Sequence, residues 1–388
     1  MNRIHSLSLS LYLLLILAAP AIRAQDAGLE SFSLLFIGDI MGHDDQIISA
    51  FNKETGRYSY DTVFSYVAPL ISEADLAFAN FEVTLAGPPF KGYPQFSSPP
   101  ELAAACLRSG IDCLLTANNH SADRGNSGIK GTVMRLDSMG IRHTGTFRDA
   151  AERDSLNPLI MTKNGLSVAI LNYTYGTNGI EVPQPVIVNM LDAGSIGRDL
   201  EKTALLNPDI TVLFLHWGTE YDTIPSVEQA RLAGLFFSKG ADLIIGSHPH
   251  VLQKMIWTKK DSTDELVVYS LGNFISNQRR PKTDGGAMVR VLFERDNGSL
   301  RIKKAGYCLT WVYLPIVDGK KEYYILPAAG FEENREFFNE PGDYEQMIKF
   351  ISESRELLDK QNIDIPEISF SNGEWLPLQY DKDNTEEL

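Results

Sequence analysis

The chain is predicted to be an α/β protein, and three observations predict it. Short apolar runs recur along its 388 residues: "SLLFIGD", "ADLAFANFE", "IDCLLTANN", "SVAILNY", "ITVLFLHWG", "ADLIIGSH" and "LVVYSLGNF". They are rich in Ile, Leu, Val and Phe and continuous rather than alternating, which suits strands covered on both faces. Between several of them lie segments with apolar residues at helical spacing. Strand and helix in alternation specify an α/β arrangement with a largely parallel sheet.

The elements follow in order. The amino terminus, "MNRIHSLSLSLYLLLILAAPAIRAQDAG", carries Arg3, an apolar core and then small residues. It reads as an export signal over residues 1–24, with cleavage between Ala24 and Gln25. The apolar core of about a dozen residues is short for a membrane span of about 20. "DTVFSYVAPLISEAD" has helical spacing, and "SPPELAAACLRSG" opens with Ser-Pro and closes with Gly, as helices do. "NSGIKGTVMRLDSMG" and "SVEQARLAGLFFSKG" also end on Gly. From about residue 285 the pattern changes: "DNGS" stands between two strand-like runs, a hairpin signal, so the core sheets are expected to finish antiparallel. "EPGDYEQMIKFISESRELLDK" predicts an amphipathic helix near residues 342–360. The organisation expected is one domain over 25–325 with an appendage over 326–388.

The net charge is −15, from 35 basic and 50 acidic residues. Such a chain lacks the basic face that non-specific binding to nucleic acid requires. The three cysteines form no CxxC; Cys106 and Cys113 sit among apolar residues and read as small buried hydrophobes. No disulfide framework is indicated, and a chain of this length needs none. There is no GxSxG elbow and no Walker loop.

Polar residues follow the apolar runs in a pattern. Asp39 follows "LLFIG", Asn80 and Glu82 follow "DLAFA", Asn118, Asn119 and His120 follow "LLTA", His216 follows "VLFL", and His248 and His250 follow "LIIGS". In an open α/β sheet, ligands gather outside the carboxyl ends of the strands. The chain has seven histidines, and four of them are in this set. An extended segment through Pro249 would aim His248 and His250 to the same side. Asp, Glu, Asn and His without cysteine suit one or two divalent ions such as Mn, Zn or Fe. Two ions about 3.5–4 Å apart are a common arrangement for hydrolysis.

"GDIM", "NFEVTL", "TANNHSADRG", "LHWGTEY", "GSHPHV" and "YSLGNF", in this order over roughly residues 33–310, resemble the bacterial capsule synthesis CapA family, linked to poly-γ-glutamate. That family is in turn similar to calcineurin-like metallophosphoesterases. The resemblance implies a four-layer α/β/β/α sandwich. It implies Asp39, Glu82, Asn119, His216, His248 and His250 as metal ligands, with Glu82 bridging, and His120 as proton donor. The phosphoesterases have Asp-x-His at the first strand, whereas this chain has Asp39, Ile40, Met41. His43 lies two residues further on, either as a ligand reaching in or as a loop residue facing water.

Further candidates for the site are Asn80, Asn118, Asp123, Arg124, Glu220, Tyr221 and Asn273. The basic stretch "NQRRPK", residues 277–282, reads either as a solvated loop or as a contact for an anionic substrate. The function expected is metal-dependent hydrolysis or transfer at a phosphoester or amide bond. The substrate would be an anionic envelope polymer or a small phosphoester or amide, and the protein would be exported to the periplasm or cell envelope. The competing expectation is a non-catalytic polymer-binding or export factor that keeps the metallophosphatase fold.

Overall fold

The structure is a computed structural model that describes residues 31–261, 263–296, 299–371 and 374–378. The export signal expected over residues 1–24 lies outside the described residues. Strands β1 (Phe32–Ile40), β2 (Leu76–Phe81), β3 (Cys113–Leu115) and β4 (Arg142–Thr144) run parallel, side by side. The chain then builds a second sheet from β5 (Leu159–Lys163), β6 (Leu166–Thr174), β7 (Ile210–His216), β8 (Leu243–Ser247), β9 (Met255–Thr258) and β10 (Glu265–Val268). Their order is β9-β10-β8-β7-β6-β5. It returns to the first sheet through β11 (Asn273–Ile275), β12 (Gly285–Asp296), β13 (Ser299–Tyr313) and β14 (Tyr324–Pro327), making eight strands there.

Period-two alternation explains the layers. In β1, Leu34 and Phe36 face the second sheet and share a buried cluster with Val168, Ile170, Val212 and Phe214. Their neighbours Leu35 and Ile37 face the other way, onto helices. That outer layer holds α1 (Asp44–Ala50), α2 (Ala68–Ser72), α3 (Glu101–Arg108) and α4 (Gly125–Ser138), which contribute Ala50, Ile71, Cys106 and Leu136. A short α5 (Ala150–Leu156) leads to the second sheet. Its outer face is covered by α6 (Ala193–Leu206) and α7 (Val227–Ser238) through Ile196, Leu200, Leu232 and Phe236. The result is four layers: helices, sheet, sheet, helices. The carboxyl-terminal helix, α8 (Pro341–Asp359), adds Met347, Phe350, Ile351 and Leu358 to the cluster between the sheets. Among the described residues no helix is long and apolar enough to cross a membrane.

Several expectations are corrected. The sheets are more mixed than strand–helix alternation implies. β5–β6, β9–β10 and β1–β12 are antiparallel, whereas the antiparallel β12–β13 and β13–β14 pairs are those expected of the segment after residue 285. A short turn joins β5 to β6, and a short turn can link only antiparallel neighbours. Residues 297 and 298 of "DNGS", where the hairpin turn is expected, lie outside the described residues. "DTVFSYVAPLISEAD" is not one helix but a 3₁₀ turn, Asp61–Phe64, followed by α2. Pro69 has no N–H to continue a helix across that point, and its ring clashes with the preceding turn. The single apolar run "LVVYSLGNF" supplies two strands, β10 and β11, in different sheets. Gly272, at φ +68°, makes the crossing between them.

Strand register then fixes what lies at the carboxyl ends. In the first sheet Asp39 stands beside Asn80 and Asn273. In the second, His216 stands beside Thr174 and Ser247. Close backbone approach is needed here: a Cβ on Gly38 would lie 2.1 Å from the Gly272 carbonyl oxygen.

Candidate metal centre

Asp39, at the end of β1, and Glu82, just past β2, are both fully buried. His216 ends β7 and is 1% exposed. One potential ligand atom from each of these three lies within 4.8 Å of the others. Glu82 Oε1 is 3.7 Å from His216 Nε2 and 3.7 Å from His250 Nε2. It has no hydrogen-bond partner in the protein. A buried carboxylate oxygen left open between two imidazole nitrogens is costly unless something else occupies the space.

The remaining predicted ligands are adjacent. Asn119 Oδ1 is 2.7 Å from His216 Nε2. His250 Nδ1 is 3.1 Å from Asp39 Oδ2 and 3.0 Å from Asn273 Oδ1. Asn273 donates its amide N–H groups to the Thr283 carbonyl at 2.8 Å and to Gln278 Oε1 at 3.1 Å. Its Oδ1 must therefore accept from the ring, which puts the His250 proton on Nδ1 and leaves the Nε2 lone pair toward Glu82. The His248 ring centre is 4.8 Å from that of His216, and His248 Nδ1 is buried without a partner.

His248 and His250 reach the site by a route other than the extended one expected. Their φ values are +101° and +59°, and β8 ends at Ser247. The backbone coils through left-handed conformations, a strained choice for non-glycine residues that is held by the surrounding structure.

The electrostatics of the cluster disfavour charge on its own groups. Burial, then the nearby Asp39 carboxylate, pushes the Glu82 carboxyl well above the usual range. Burial and the neighbouring His248 and His250 hold His216 well below its ordinary value. His248 is pushed down to about 3, chiefly by burial. Neutral imidazoles are ready-made ligands, and a bound cation would offset the cost of ionising Glu82. The orphaned atoms Glu82 Oε1, Asn80 Oδ1 and His248 Nδ1 fit that role. The residues present therefore fit a divalent ion.

The other candidates divide. Asn80 donates to Asp39 Oδ1 at 2.8 Å and Glu82 Oε2 at 3.2 Å, steadying both carboxylates. Asn118 donates to the Phe81 carbonyl and accepts the His120 N–H, so it shapes the turn rather than the cluster. His120 Nδ1 is 2.9 Å from Asp123 Oδ2, and both residues are buried. Asp123 Oδ2 also accepts the Phe96 N–H at 2.6 Å. Arg124, at φ +65°, turns its guanidinium to the Gln95 and Pro89 carbonyls. Glu220 is exposed, and the Tyr221 ring centre is 6.2 Å from that of His250. His43 is half-buried, with its Nδ1 3.0 Å from Gln46 Oε1. The position of the absent first-strand histidine is held by buried Met41, whose sulfur meets Ser276 Oγ at 3.6 Å.

Sequence reasoning passed over Tyr175, which follows β6. Its ring centre is 4.5 Å from His248 and it lies nearly parallel to His216 at 6.4 Å. The signal available was the one used elsewhere, a polar residue just past an apolar run. Ser247, 3.0 Å from His216 Nδ1, was equally within that rule.

Comparison with known proteins places this geometry in context. The family model described as bacterial capsule synthesis protein PGA_cap matches residues 33–278. The capsule biosynthesis protein CapA of Bacillus anthracis is 32% identical over 286 residues, 70% of this chain and 66% of that protein. The PGA biosynthesis protein CapA of Bacillus subtilis (strain 168) is 29% identical over 283 residues, 70% of each chain. The chain thus spans 66% of the length of the Bacillus anthracis relative. Among solved structures, the calcineurin-like phosphoesterase YfkN of Bacillus subtilis aligns with a TM-score of 0.43 and 12% identity, over 85% of this chain and 98% of that one. The NAD nucleotidase of Haemophilus influenzae aligns with a TM-score of 0.45 and 12% identity, over 84% and 60%.

Proposed function

The chain belongs to the bacterial capsule synthesis protein family, and from that membership and its buried ligand cluster we propose that it is a metal-dependent hydrolase or transferase of envelope polymer synthesis. The bond attacked is a phosphoester or an amide, in an anionic polymer such as poly-γ-glutamate or in a small precursor. Export to the cell envelope is part of this reading, on the strength of the signal-like residues 1–24 and the capsule-linked relatives.

The observation that carries the proposal is the open Glu82 oxygen between His216 and His250. Asp39, Glu82, Asn119, His216, His248 and His250 would hold one or two ions. A divalent ion bound there would polarise the scissile group and make a water more acidic. The protein's own groups supply the proton transfer. Asp123 accepts from His120 Nδ1, which fixes the ring and stabilises its doubly protonated form, and from that form Nε2 gives its proton to the leaving group and returns to the lone-pair state. Phe96 packs edge-on against His120 at 4.6 Å and limits the ring's freedom and its contact with water.

Met41 in place of a histidine favours a second reading, a polymer-binding factor without turnover. One experiment separates the two. Protein purified without chelator is analysed for bound metal, then assayed with a phosphodiester, a phosphomonoester and poly-γ-glutamate in the presence of Mn or Zn. Turnover that is lost in His120→Ala supports the enzyme. Bound metal with all three substrates inert favours the binding factor. No bound metal and no thermal shift with either ion removes the proposal altogether.

A further inference from the structure

Arg280 stands in the basic stretch over residues 277–282. Arg280 is exposed, and its guanidinium carbon lies 4.4 Å from the centre of the Tyr221 ring. The same ring is 6.2 Å from that of His250. Among the described residues no carboxylate forms an ion pair with Arg280, although acidic residues outnumber basic ones 50 to 35. Exposed Glu220, on the same turn as Tyr221, does not pair with it either. Stacking uses the face of a guanidinium and leaves its in-plane N–H donors open for bidentate contact with a carboxylate or phosphate.

The arginine is placed by structure. Thr283 donates its N–H and its hydroxyl to the Arg280 carbonyl, at 3.1 and 2.9 Å. The Thr283 carbonyl accepts from Asn273, and Asn273 in turn accepts from His250. A chain of four residues thus ties the Arg280 loop to a predicted metal ligand. Tyr221 is fixed as well: it sits at φ +71°, and its N–H donates to the Pro249 carbonyl at 2.8 Å. A bulky residue in a left-handed conformation is held there by its surroundings.

We propose that Arg280, carried on the Tyr221 ring, is the specificity-determining contact of this site for an oxyanion group on the substrate, a carboxylate or a phosphate. Tyr221 is the positioning residue. The inference rests on the proposed function only in taking the buried cluster as the place where substrate binds, and it holds whether or not the bound substrate turns over.

The test is binding, measured by calorimetry on the full chain with Mn present, with inorganic phosphate and glutarate as probes. Wild type is compared with Arg280→Ala, Arg280→Lys, Tyr221→Ala and Tyr221→Phe, and metal content is measured in each. Arg280→Ala should weaken at least one probe by roughly 10- to 100-fold at unchanged metal content. The probe affected tells carboxylate from phosphate. Arg280→Lys should recover only part, because an ammonium neither stacks nor binds in a fork. Tyr221→Ala should weaken the same probe, and Tyr221→Phe, which keeps the ring, should restore it. Equal affinity in wild type and Arg280→Ala overturns the proposal, as does the absence of saturable binding of both probes to wild type. Failure of the hydrolase reading appears separately, as normal Arg280-dependent binding without turnover.

Discussion

Glu82 Oε1 and His250 Nε2 face each other at 3.7 Å, both side chains are buried, and the carboxylate oxygen has no donor in the protein. In the metal-free protein this is a destabilising arrangement. Burial raises the folded-state pKa of Glu82 above its unfolded value. The folded state therefore holds its proton more tightly, and stability falls as pH rises from the ordinary carboxyl range toward the raised value. Glu82→Gln keeps the shape and removes the ionisation. At pH 8 the metal-free variant should melt at or above the temperature of the metal-free wild type. It should also lose most of the thermal shift produced by Mn or Zn. A variant that keeps the full shift would show that Glu82 is not a ligand.

In the proposed function His120 moves a proton, and it is absent from the Asp39, Glu82 and His216 cluster. His120→Ala should leave metal stoichiometry unchanged and lower turnover by roughly 10²–10⁴-fold. His216→Ala, which removes a cluster member, should deplete metal and lower thermal stability as well. Loss of metal in both variants to the same extent would make His120 a ligand.

Much of this was legible before the structure. The continuous apolar runs located the core strands, and the residue after each run located Asp39, Glu82, His216, His248 and His250, because parallel strands end together. What escaped was non-local. Nothing in "LVVYSLGNF" marks Gly272 as the point where the chain changes sheets, since both halves are equally apolar. The extended geometry expected at His248 and Pro249 ignored the coil that tertiary contacts impose. Arg280 could not be told from a solvated charge, because its meaning depends on Tyr221, which is remote in sequence.

Asp242 offers a test of the second sheet that is independent of metal. Its carboxyl is pushed up to about 6 by burial, against the pull of the Thr211 N–H that it accepts at 2.8 Å. Raised folded-state pKa means stability is greatest below the unfolded value near 4 and declines up to about 6. Asp242→Asn keeps an acceptor for Thr211. It should stabilise the protein at pH 8 by on the order of 1–2 kcal/mol and have little effect at pH 4. Denaturant midpoints at the two pH values measure this. Equal effects at both would mean the carboxyl is not perturbed in the folded state.

His43 settles whether a loop histidine replaces the one absent from the first strand. Gln46 Oε1 accepts the His43 backbone N–H at 2.8 Å and lies 3.0 Å from its Nδ1, while Gln46 donates its amide to the Met41 carbonyl at 2.9 Å. The glutamine amide is thus oriented by backbone partners, and His43 Nδ1 lies between its oxygen and the Asn277 N–H, which donates to the ring at 3.3 Å. Burial, offset in part by the Gln46 hydrogen bond, holds the ring pKa down to about 4, so it is neutral at physiological pH. The ring packs edge-on against Phe96 at 5.3 Å, on a residue that also contacts His120. These contacts describe a side chain that braces α1 and Phe96 behind His120, outside the Asp39, Glu82 and His216 cluster. His43→Ala should therefore retain full metal content and lose about 1 kcal/mol of stability, with turnover reduced less than in His120→Ala. Elemental analysis decides it: loss of one equivalent of metal in His43→Ala would put the His43 ring on an ion and give the site the ligand absent at Met41.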